Sequence, residues 1–149
     1  VNELESFDRY FAKFLEVVKL HQELGFGKNP HISSVFSEKL VRNLLGYEKW
    51  HNKDYDAKYH GAGVEIKATG TKAGTTTICI DKIKQTEFSH LIWVYINFNL
   101  QQAEIHIIDK STLLADKKLM NSPKERPSIR LSQCSPKLLK IYKFNNLDS

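Results

Sequence analysis

Two acids and a lysine in the stretch Asp54 to Thr69, DYDAKYHGAGVEIKAT, are the side chains best suited to chemistry in this 149-residue chain. Glu65 and Lys67 stand two residues apart in Val64-Glu65-Ile66-Lys67-Ala68-Thr69. Apolar and charged positions alternate there, so a β-strand would point both side chains to one face. Asp56 lies upstream across His60-Gly61-Ala62-Gly63, a turn signal that makes the stretch a hairpin. With Gly61 and Ala62 at the tip, Asp56 falls opposite Lys67 and diagonal to Glu65, and the three side chains come within mutual reach. Two convergent carboxylates suit a hard cation such as Mg²⁺, for which Mn²⁺ can substitute, and a neighbouring ammonium suits an anionic reacting group.

Spacing alone decides little. Composition yields roughly two acid-any-lysine matches by chance, and the chain has three: Asp56/Lys58, Glu65/Lys67 and Asp116/Lys118. Only the middle one lies in a β-type run with a second acid one strand upstream. An ordinary solvent-facing edge hairpin would show the same alternation.

Asp56, a glycine turn and Gly63-Val64-Glu65-Ile66-Lys67-Ala68-Thr69 together resemble the core signature of the PD-(D/E)XK nuclease superfamily, in particular type II restriction endonucleases and the related mismatch-repair nicking enzymes. The resemblance covers about residues 34 to 108, and Tyr55 stands where the pattern has proline. It implies an α/β fold, a mixed central β-sheet flanked by helices in a restriction-endonuclease-like core, and Mg²⁺-dependent hydrolysis of phosphodiester bonds in double-stranded DNA. By the same resemblance Asp56 and Glu65 hold the metal with the backbone carbonyl of Ile66, and Lys67 orients or deprotonates the attacking water. Many such enzymes place a further acid on the helix before the hairpin, which here is Glu38. A first-turn glutamate favoured by the helix dipole reads Glu38 equally well. Small enzymes of this class often act as homodimers, because a twofold axis matches a palindromic target. A nicking repair nuclease or a junction resolvase is the alternative within the superfamily. Outside it stands a catalytically silent DNA-binding module whose Asp56, Glu65 and Lys67 form a salt-bridged strand row.

The elements that would position these residues are read from periodicity. Leu4, Phe7, Phe11, Phe14, Leu15 and Val18 predict a helix over residues 3–22, ended by Gly25, Gly27 and Pro30. Ser33-Ser34 caps a second over 35–45, with Phe36, Leu40, Val41, Leu44 and Leu45 as its apolar face and Gly46 at its C′ position. Thr75 to Ile80 reads as a third strand, 81–88 as a short helix or turn, and His90 to Phe98 as a buried central strand paired with Ala103 to Ile108. A helix over 112–120, a polar loop 121–127, an extended piece at 129–131 and a helix starting at Ser135-Pro136 complete the reading. One nuclease domain spans 1–149, with helices at about 3–45, a sheet core at about 50–109 and C-terminal helices and loop at about 111–146.

Composition supplies the setting. Twenty-two basic against 17 acidic residues give a net charge of +5, which favours a polyanionic partner. Lys58, Lys72, Lys82 and Lys84 flank the hairpin and suit phosphates, whereas Arg126 and Arg130 offer guanidiniums for guanine edges. No apolar run reaches the ~20 residues of a membrane span, and the expected location is cytoplasmic. Cys79 and Cys134 have no metal-ligand spacing. His51-Asn52 reads as a plain loop, since nothing near it supplies the partners of a histidine-based metal nuclease.

Overall fold

A computed structural model describes residues 3–145 and shows an α/β fold with a mixed five-stranded sheet flanked by helices. Helix α1 (Glu3–Leu24) buries Phe7, Phe11, Leu15 and Val18, and α2 (Ser34–Leu45) buries Phe36, Leu40 and Val41. Both stripes follow the 3.6-residue period. Helix α2 ends at Gly46, whose left-handed backbone (φ 70°) is the C-terminal cap expected there.

The sheet runs in the order β1 (Ala57–Tyr59), β2 (Ala62–Thr69), β4 (Phe88–Asn97), β5 (Gln102–Asp109), β7 (Lys137–Lys143). Only the β2–β4 pair is parallel. A parallel pair needs a crossover, and residues 70–87 provide it with β3 (Thr75–Thr77) and α3 (Ile80–Lys84). The first face of the sheet, with Val64, Ile66, Ile92, Val94, Ile96 and Ile105, packs on α1 and α2. Phe11 stacks on Phe144 at 4.0 Å within that layer. The second face, with Leu91, Trp93 and Ile108, packs on Ile83 of α3, on Leu113 of α4 (Lys110–Ala115), on Leu119 of α5 (Lys117–Met120) and on Ile129 of β6 (Ser128–Arg130).

Four expectations need correction. The stretch Thr75 to Ile80 is a strand only to Thr77, and it pairs with β6 in a separate two-stranded sheet. The helix over 112–120 is two helices, because Asp116 Oδ1 accepts from the Leu119 N–H and so starts a new one. No helix follows Ser135-Pro136; the segment is β7, an edge strand antiparallel to β5. Tyr142 and Phe144, two apart, reach the first-face core, and Tyr142 Oη donates to the buried Asp8 of α1 at 2.8 Å. Pairing with the open β5 edge decides the conformation over the local helix-start signal. Finally, the hairpin turns at His60 and Gly61, both with positive φ (47° and 83°). A two-residue type I′ turn needs that conformation twice, and histidine adopts it more readily than Ala62 would.

Among the described residues no helix is long and apolar enough to cross a membrane.

Candidate active site

The shifted turn changes who faces whom. Ala57 pairs with Val64, so the register places Asp56 level with Glu65 rather than with Lys67. Asp56 itself stands just outside β1, with its N–H donating to the Val64 carbonyl at 3.1 Å. Its carboxylate then takes over where the strand stops: Oδ2 accepts from the Ile66 N–H at 2.8 Å. A strand sends the backbone groups of alternate residues to one edge. The Ile66 carbonyl therefore shares the edge occupied by Asp56.

Helix α2 approaches from the first face. Arg42 Nη1 donates to the Asp56 carbonyl at 3.2 Å, and Glu38, one turn earlier, brings its carboxyl to the Asp56 side chain. Burial, a hydrogen bond to Asp56 and the charge of Asp56 raise the Glu38 pKa to about 7, against the opposing charge of Arg42. Sequence reasoning missed Arg42. A guanidinium that acts on a main-chain carbonyl leaves no motif.

Glu65 lies on the second face in the middle of β2 and is 9 % exposed. Burial first and Asp56 second push its pKa up to about 7, opposed by Lys82 and Lys67. Its Oε1 atom is buried and accepts no hydrogen bond. The nearest cation is Lys82 of α3, with Nζ 3.7 Å from that oxygen. Lys67 is half-buried on the same face, and no ion pair within 4.0 Å joins it to Asp56 or Glu65 among the described residues.

Tyr55 fixes the approach of the hairpin to α3. Its hydroxyl donates to the Lys82 carbonyl at 3.0 Å, and its ring lies so close to Gly63 that a Cβ there would meet it at 2.3 Å. The residue in the proline position is thus a buried aromatic anchor. Trp50 packs edge-on against Tyr55, while the adjacent His51 is exposed.

The donor set is all oxygen, and one oxygen is buried without a donor, which fits a hard cation better than a soft one. Among the described residues no three His, Cys, Asp or Glu side chains are grouped as a ready-made cage. Two carboxylates and a carbonyl are nonetheless a fitting set for Mg²⁺, which keeps several waters and takes one or two carboxylates from a protein.

The basic residues fall in separate places. Lys58 is on β1, where its backbone bridges to Glu48. Lys72 is exposed in the crossover loop, Lys84 is exposed at the end of α3, and Lys82 is drawn into the acidic cluster. Arg126 and Arg130 are exposed beside the small sheet, and Arg130 lines an open cavity of about 430 Å³ with Lys118 and Lys124. Loop 121–127 is tied to the start of α3 by the Ile80 N–H on the Glu125 carbonyl (3.3 Å) and the Ile78 N–H on the Pro127 carbonyl (3.2 Å). Those ties set Arg126 and Arg130 on the sheet face that carries Glu65. Lys58 belongs to the edge beyond it.

No family model matches the chain, and no curated protein or solved structure matches it.

Proposed function

We propose that the protein is a Mg²⁺-dependent endonuclease that hydrolyses phosphodiester bonds of double-stranded DNA, of the type II restriction class within the PD-(D/E)XK superfamily. The observation that carries the reading is Glu65: a carboxylate buried in the middle of a sheet strand, raised by Asp56 and holding an oxygen without a hydrogen-bond donor. Burying such a group costs stability unless something binds it, so its presence favours a functional role over a structural one.

In this reading Asp56, Glu65 and the Ile66 carbonyl hold the ion, and Arg42 fixes Asp56 through its backbone. Bound Mg²⁺ would lower the pKa of a coordinated water and polarise the scissile phosphate. Lys67 orients that water and offsets the negative charge that develops on the phosphoryl oxygens. Glu38 supports Asp56 from the helix side. Lys72, Lys84, Arg126 and Arg130 supply contacts to the polyanion, and Lys58 touches it at the hairpin edge. The enzyme would act as a homodimer on cytoplasmic DNA.

The Lys82–Glu65 pair favours a second reading, a silent DNA-binding module in which a lysine permanently neutralises the acid. Supercoiled plasmid incubated with Mg²⁺ separates the two. Wild-type protein should cut it, EDTA should stop the cutting, and Glu65→Gln should slow it by about three orders of magnitude. Equal cleavage by Glu65→Gln and wild type would end the assignment of Glu65.

A further inference from the structure

Lys82 is the cation paired with the Glu65 carboxylate from outside the hairpin. It comes from α3, in the crossover that β2 and β4 require, and its Nζ lies 3.7 Å from Glu65 Oε1, beyond hydrogen-bond length. The side chain is about one-third exposed, against 12 % for its partner, so the ammonium can reach solvent while the carboxylate cannot. Two anchors hold its backbone in place: the Lys82 carbonyl accepts from Tyr55 Oη at 3.0 Å and from the Gln85 N–H at 3.3 Å. The backbone of Lys82 is therefore held, while its ammonium stands at the end of four flexible carbons.

An anchored backbone carrying a partly exposed ammonium, beyond hydrogen-bond length from a buried carboxylate oxygen, is the geometry of a provisional counterion. Lysine suits this role because its ammonium is a compact, strongly hydrated charge on four flexible carbons. The same face of the molecule carries the exposed Arg126 and Arg130 beyond α3.

We propose that Lys82 is an exchangeable resident cation: its ammonium neutralises Glu65 until a divalent ion binds, then leaves Oε1 and contacts the DNA backbone. The inference rests on the metal reading given above. One side chain then couples metal loading to DNA grip, because the charge released by the first event serves the second. In this scheme Lys82 grips the DNA backbone away from the reacting phosphate, which the hairpin residues face.

Calorimetric titration of the full chain with Mn²⁺ at pH 8, without DNA, tests this. The variants are Lys82→Met, which keeps the stem and removes the charge, Lys82→Arg, which keeps the charge, and Glu65→Gln; thermal denaturation checks that each is folded. Lys82→Met should bind Mn²⁺ about fivefold tighter than wild type, since no ammonium must be displaced. Lys82→Arg should stay near wild type. Affinity for a DNA duplex, measured with and without Ca²⁺, should rise on adding Ca²⁺ to wild type, and this gain should shrink in Lys82→Met. Mn²⁺ binding that Glu65→Gln abolishes but Lys82→Met leaves unchanged or weakens overturns the exchange while sparing the metal site. Binding absent from wild type overturns the metal reading and the exchange with it.

Discussion

The two edges of the five-stranded sheet end in opposite ways. At one edge, β1 is three residues long and gives out at Ala57, so the next N–H of β2, that of Ile66, is met by the Asp56 carboxylate. At the other edge, β7 runs seven residues, with Lys137, Lys140 and Lys143 along it and Leu138, Leu139 and Ile141 exposed. Lysines along an exposed edge discourage pairing with another chain. The short edge gathers anionic side chains where backbone pairing is missing, and the long edge is guarded by cationic ones. Strand length at an edge thus decides whether a sheet offers a polar site or merely a boundary.

Substitutions at the short edge should have the larger effects. Gly63→Ala has no backbone objection, but its Cβ would meet the Tyr55 ring at 2.3 Å. Urea unfolding should show a loss of about 3 kcal/mol, with the Asp56 side of the site displaced as Tyr55 moves. An unchanged midpoint would mean that Tyr55 anchors nothing.

A smaller effect of the opposite sign is expected at Glu65. A carboxyl whose folded pKa lies near 7 keeps a proton that the unfolded chain gives up nearer 4.5. Its contribution to stability is complete below the unfolded value and is lost as pH rises through about 7. Glu38 adds to the same trend. Glu65→Gln should therefore be more stable than wild type at pH 8, on the order of 2 kcal/mol or about 4 to 8 °C in melting temperature, and its stability should depend less on pH between 5 and 7. A variant less stable than wild type at pH 8 would show that the Lys82 pair outweighs burial and Asp56.

The smallest effect belongs to the long edge. Lys137→Thr combined with Lys140→Thr should shift stability by no more than about 0.5 kcal/mol per residue, yet raise light scattering at high protein concentration as the edge loses its guard. Unaltered scattering would remove the lysines from that role and weaken the contrast between the edges.

Much of the sheet was legible in the chain. The apolar run at β4 follows from burial on both faces of the sheet, and the alternation at β2 and β5 marked them as its neighbours. The acids were legible too, as Asp56 stands close enough to both Glu38 and Glu65 for its charge to act on each. Their mutual register was not, because it hangs on His60 accepting a left-handed backbone that glycine and asparagine usually take. Strand β7 escaped because its conformation is set by the vacant side of β5, far upstream in sequence. Lys82 was visible as a basic residue near the hairpin, but its seat on Glu65 depends on the crossover folding back across the sheet.

Tyr55 makes the site's rigidity conditional. A pyrrolidine ring before the acid would stiffen the main chain by covalent closure, whatever its surroundings did. Tyr55 leans instead on the bare backbone at Gly63 and on a carbonyl of α3, so its stiffness is borrowed from non-covalent neighbours. Heat that relaxes these two contacts reaches the aspartate and the lysine-bearing helical turn together, and the acidic cluster slackens while the rest of the sheet still holds.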